Sequence, residues 1–215
     1  KTLTRCCRWQ ERLLKSIKSS RVMGDFRKIT PTRRDNVPAG KKYQEYKPLL
    51  REDFHQRCGY CGDHDYFRET FYEIDHFVPK TLASEREHDY SNLVYSCRTC
   101  NNSKRAKWPT GDVTKPNDGK EGWIDPCEID YAEQFDRLSD GSIKSKTELG
   151  AWMWKALTLG NPIHRLKWSL EMLREELTRT ESLDISDVEE LKRIKALNAC
   201  YRRFEEQLRG IPNFG

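Results

Sequence analysis

Four cysteines and four polar residues hold the chemistry that this sequence can perform. Cys58 and Cys61 form one Cys-x-x-Cys pair, and Cys97 and Cys100 form another. Between them lie Asp75, His76 and Asn92, with Asn101 directly after the last cysteine. Four thiolates close a tetrahedral shell around Zn²⁺, and each Cys-x-x-Cys turn supplies two at the right separation. Such a shell leaves no open coordination position, so the zinc is expected to be structural. The stretch between Cys61 and Cys97 is longer than in a compact zinc ribbon, which places an inserted element between the two knuckles.

The polar residues have the types that phosphodiester hydrolysis requires. An imidazole titrates near neutrality and can take a proton from water, while carboxylate and amide oxygens are hard ligands for Mg²⁺ or Mn²⁺. A second Asn can orient the His. Spacing alone does not select Asp75, His76, Asn92 and Asn101 over His64, His88 or Asp89.

The elements that must position these residues are short. Residues 70–77, TFYEIDHF, are aromatic and β-branched and end at Pro79, which predicts a strand; NLVYS at residues 92–96 predicts a second. A helix is expected within residues 100–107, and another over residues 43–54 feeding the first cysteine pair. Residues 3–20 have apolar positions at helical spacing on a basic background, followed by an irregular arm to Gly40. Beyond a turn-rich linker after Trp108-Pro109, residues 131–144 resemble a hairpin around Asp140-Gly141. Three helices follow: residues 148–159, one from Asn161-Pro162, and one opened by a Ser186/Glu189 capping box and closed by Gly210. The last two carry single apolar stripes and should pack on each other. The fold class is therefore α+β, with a basic helical arm at 1–50, a small zinc-stabilised core at 51–112, and a linker, hairpin and helical region at 113–215.

Size and charge narrow the options. In 215 residues, 36% hydrophobic and 34% charged content leave little apolar material for a core without a staple. The formal net charge of +5 is uneven, because residues 1–47 alone sum to +10, which suits phosphate binding. No run approaches the ~18 apolar residues of a membrane span, and the first residues lack a signal-peptide core, so a cytoplasmic location is expected. There the eight cysteines would stay reduced, and Cys6, Cys7, Cys127 and Cys200 read as ordinary thiols.

The rows EIDHFVPK and SNLVYSCRTCNNSK resemble the HNH endonuclease family, whose pattern is Asp-His, a Pro, Asn-Leu, then Cys-x-x-Cys-(His or Asn)-x-x-Lys. The resemblance spans about residues 55 to 108 and implies a ββα-metal finger. By position it makes His76 the general base, Asp75 and Asn101 the ligands of a catalytic Mg²⁺ or Mn²⁺, and Asn92 the residue that fixes the His through its backbone. Lys104 matches the motif Lys as a phosphate contact, with Arg98, Arg105 and Lys107 as neighbouring nucleic-acid contacts. Asn101 stands where the family often has His, and Arg105 where some members place a second His. The implied function is metal-dependent cleavage of DNA, double-stranded in the first instance, with low sequence specificity. The alternatives are a non-catalytic zinc module that binds nucleic acid or protein, and a structure-specific nuclease. The runs DFHQRCGYC, GWIDPC, DGSI and NPIHRLKW further resemble stand-alone HNH subunits of Septu-type antiphage systems. That likeness implies antiviral defence and a protein partner, an ATPase, held by the C-terminal helices.

Overall fold

A computed structural model describes residues 25–38, 40–68, 70–181 and 188–210. The expected helix at residues 3–20 and the Ser186/Glu189 box fall wholly or partly outside them. Two antiparallel strands, β1 (Glu73–His76) and β2 (Leu93–Ser96), form the centre, with Asp75 opposite Val94 and His76 opposite Leu93. A seven-residue helix, α2 (Arg98–Lys104), follows β2 immediately and packs against β1. It begins two residues earlier than expected because Cys97 caps it: the Cys97 sulfur accepts from the Cys100 amide at 3.4 Å. One residue thus opens the helix and contributes to the cysteine cluster. Together the three elements make the ββα unit.

Helix α1 (Lys47–Asp53) follows a 3-10 turn at Tyr43–Tyr46 and covers β2 with Leu50, while Phe54 just beyond it is equally buried. The first cysteine turn docks on the same strand, with the Gly59 amide donating to the Tyr95 carbonyl at 2.9 Å. No side chain fits at Gly59, since a Cβ there would lie 2.7 Å from the Phe54 ring and 2.9 Å from Val94. This close approach holds the cysteine turn to the sheet.

The expected hairpin is present as β3 (Phe135–Arg137) and β4 (Ile143–Ser145), but Tyr131 lies in a short helix before it, α3 (Ile129–Glu133). Tyr131 is fully buried and donates its hydroxyl to the Tyr60 carbonyl at 2.9 Å, inside the first cysteine turn. Phe26 from the N-terminal arm packs on Tyr131 and Phe135. One apolar cluster consequently runs from Phe26 through the cysteines to Leu159, on both sides of residues 50 and 112.

Helix α4 (Glu148–Ala156) is capped by the Thr147 hydroxyl, which accepts from the Gly150 amide at 2.8 Å. Helices α5 (Pro162–Glu181) and α6 (Val188–Arg209) pack together as expected. Leu173 clusters with Leu197 and Cys200, and Ile163 and Leu170 with Leu208, so early residues of one helix meet late residues of the other. The pair is antiparallel. Among the described residues, no helix is long and apolar enough to cross a membrane.

Four cations of the described part of the basic arm are engaged within the fold. Arg33 donates to the Leu93 carbonyl at 2.7 Å and pairs with Asp125, Arg34 pairs with Asp53, and Lys28 pairs with Glu171. Arg27 is buried, with its guanidinium 4.8 Å from the Tyr131 ring centre. These cations staple distant parts of the fold, which removes them from the +10 available to a ligand.

Candidate active site and structural metal centre

The four cysteines converge as their spacing implied. All are buried, and their sulfurs lie within 4.8 Å of one another. Cys61 Sγ and Cys97 Sγ, one from each pair, are 3.8 Å apart. Two thiolates on a tetrahedral zinc, each at about 2.3 Å, stand about 3.8 Å apart, whereas a disulfide needs about 2.05 Å. The donor set therefore fits Zn²⁺. A second buried pair braces this centre: His164 Nδ1 meets Asp63 Oδ2 at 2.7 Å, and Arg137 donates to the Cys61 carbonyl at 2.7 Å. Helix α5 and the β3–β4 hairpin are thereby fastened to the first cysteine turn.

On β1, side chains alternate between faces. Glu73 and Asp75 face α2, where Asn101 and Lys104, three residues apart, present one side of the helix. Two polar rungs result. The Asn101 amide nitrogen donates to Glu73 Oε2 at 2.7 Å, and the Lys104 ammonium lies 2.9 Å from Asp75 Oδ2. Lys104 also donates to the His76 carbonyl at 2.8 Å, and the Tyr60 hydroxyl donates to Asp75 Oδ2. Burial pushes the Asp75 carboxyl above the usual range, and the Lys104 charge with the Tyr60 hydrogen bond opposes that shift.

This placement corrects the expectation for Lys104. Its side chain has no exposed surface and sits over the Trp123 ring at 5.7 Å, so it is an internal counter-ion to Asp75 rather than a surface phosphate contact. Arg98, Arg105 and Lys107 are exposed. Arg105 caps the end of α2, and its guanidinium donates to the Asn102 carbonyl.

His76 points to the other face of β1. Its Nε2 lies 2.9 Å from the Glu87 carbonyl, and its ring meets the edge of Tyr43 with centres 4.8 Å apart. A carbonyl can only accept, so Nε2 carries the hydrogen and the neutral ring keeps its lone pair on Nδ1. Asn92 builds the loop that delivers this carbonyl. Fully buried, it accepts from the Val78 amide at 2.8 Å and donates to the Val78 carbonyl at 3.0 Å and the Arg86 carbonyl at 3.4 Å. It clamps the chain leaving β1 to the chain one residue before Glu87.

The structure thus brings Asp75 and Asn101 to one side of β1 and His76 to the other, at adjacent positions of one strand. Tyr60, Glu73, Tyr43 and the Glu87 carbonyl complete the arrangement without having been singled out in the sequence. Strand alternation could have found Glu73, two residues before Asp75. Tyr43 and Glu87 carry no signal of their own, because one contributes a ring edge and the other a backbone oxygen.

Residues 58–107 match the HNH endonuclease family model. The HNH segment covers both cysteine pairs, both central strands and α2, and the match supports nuclease-type chemistry with a divalent metal and nucleic acid. Comparisons with curated proteins and with solved structures gave no match. Tyr60 and Lys104 both engage Oδ2 of Asp75, and Glu73 engages the amide nitrogen of Asn101.

Proposed function

We propose that the protein is a metal-dependent HNH endonuclease that hydrolyses phosphodiester bonds of DNA. The reading is carried by the hydrogen bond between His76 Nε2 and the Glu87 carbonyl, which leaves Nδ1 as the basic nitrogen. In the reaction, Nδ1 takes a proton from water as the water oxygen bonds to phosphorus. The bond from phosphorus to the 3′ oxygen breaks with its electron pair on that oxygen, which then takes a proton. This polarity, giving 5′-phosphate and 3′-hydroxyl ends, follows the family resemblance. Asp75 and Asn101 would hold the divalent cation, which supplies charge neutralisation at the scissile phosphate. Asn92 fixes the loop that orients the ring. Arg98, Arg105 and Lys107 give exposed positive charge beside α2 for phosphates. Low sequence specificity is inferred because the contacts assigned to Arg98, Arg105 and Lys107 are to phosphates, which carry no sequence information.

A nuclease of low specificity requires restraint. We assign that role to a protein partner on the C-terminal helices, where Val188 and Leu191, one turn apart on α6, are exposed apolar residues. Antiphage defence and an ATPase partner rest on the short sequence runs that resemble Septu-type subunits.

The test is cleavage of supercoiled plasmid with Mg²⁺ or Mn²⁺, with and without the partner. The protein should nick and linearise it, and His76→Ala should lower the rate by about 10²–10⁴. Equal absence of cutting by both proteins would leave the non-catalytic zinc module as the correct reading.

A further inference from the structure

Phe71 is the most exposed large apolar side chain among the described residues, at 76%. It stands two residues before Glu73, where β1 begins, and four before Asp75. Tyr72 is buried and Ile74 packs on the core. Arg68 places its guanidinium 5.6 Å from the Phe71 ring centre. The exposed Arg98 reaches to 3.9 Å from Glu73, which in turn holds Asn101. An exposed aromatic ring with one guanidinium over it therefore lies just ahead of the strand that carries Glu73 and Asp75, and a second guanidinium meets Glu73.

We propose that Phe71 stacks on an unpaired base of the DNA substrate, with Arg68 and Arg98 on the flanking phosphates, so that the preferred substrate carries a single-stranded or distorted stretch beside the scissile bond. This rests on the nuclease reading and names its substrate class. Four residues of chain span at most about 13 Å at about 3.3 Å each, or about four base steps of a stacked strand at 3.4 Å per step. A base that close to the cleaved phosphate is within reach, and only an unpaired or unstacked base offers its face to a protein ring. The charge argues for nucleic acid over an apolar protein surface, because a protein would have to desolvate both arginines.

The test uses the full chain carrying His76→Ala, so that binding is read without cleavage. Affinities are measured by fluorescence anisotropy for a fully paired duplex and for the same duplex with a short single-stranded gap. The gapped DNA should bind more tightly, Phe71→Ala should weaken it on the order of tenfold, and Phe71→Trp should restore it. Duplex affinity should change less than about twofold on the same scale. Zinc content should be unchanged, since Phe71 is exposed and is not part of the core. Equal loss on both DNAs, or no loss on either, would overturn the inference, as would a similar loss in Tyr66→Ala, an exposed aromatic off this strand. Failure of the plasmid assay with the gap preference intact would sink the cleavage reading and leave Phe71 as a binding residue.

Discussion

The Lys104 ammonium lies 2.9 Å from the Asp75 carboxylate, and both side chains are buried, Lys104 completely. The same ammonium holds the His76 carbonyl at 2.8 Å, so one buried cation ties the proposed cation ligand to the backbone of the proposed base. Removing one member of a buried pair strands the other charge, at about 3–5 kcal/mol. Lys104→Met should accordingly lose about 3 kcal/mol in denaturant titration. A cation on Asp75 replaces the missing charge, so Mg²⁺ should raise the Tm of Lys104→Met more than that of the parent protein. An equal Mg²⁺ response in the two proteins would contradict Asp75 as a cation ligand.

Asn92 satisfies both polar groups of Val78 from a fully buried position. Asn92→Ala leaves them unpaired at about 1–3 kcal/mol and frees the loop bearing Glu87. Cleavage rate should fall along with stability. Asn92→Asp keeps the acceptor but loses the donor and buries a charge, so it should be no better than Ala. A rate unchanged in either variant would separate the loop from the base.

The cysteine cluster should carry one zinc per chain, measurable by elemental analysis. A structural zinc in a small module contributes on the order of 10 kcal/mol, so chelation or Cys100→Ser should collapse the circular dichroism and thermal transition of the HNH segment. His76→Ala should keep its zinc and its fold. Less than one zinc per chain in the parent protein would refute the assignment.

Glu171 on α5 is pinned by Arg57 of the first cysteine turn and Lys28 of the arm. Burial alone would raise its carboxyl, but the Arg57 hydrogen bonds and charge, with Lys28, hold it at about 2 against the ordinary 4.5. The folded chain therefore binds this proton less readily than the unfolded chain. Its contribution, up to about 3 kcal/mol, is present above pH 4.5 and is lost as pH falls towards 2. Between about pH 5 and 3, Glu171→Gln should lose less stability than the parent, a difference in which acid release of zinc largely cancels. Parallel acid limbs would show that the network contributes nothing.

What the sequence determined by itself was local. Each Cys-x-x-Cys turn, the Asp75-His76 pair ahead of Pro79, the capped start of α5 at Asn161 and the stripe Leu173–Leu177 all encode themselves within a few neighbouring residues. Fold class and candidate donors could be read from them. Period-two alternation also contained the opposite facing of Asp75 and His76 once the strand was in place. Only tertiary structure decided that Lys104 turns inward to Asp75, that a backbone oxygen of Glu87 meets the His76 ring, and that Arg33 reaches Leu93 and Asp125 instead of a phosphate. Those partners stand 11 to 92 residues apart. A charged side chain looks the same in sequence whether it faces water or a buried carboxylate; the choice is made when the chain packs and the cost of burying the charge is set against the partner it finds.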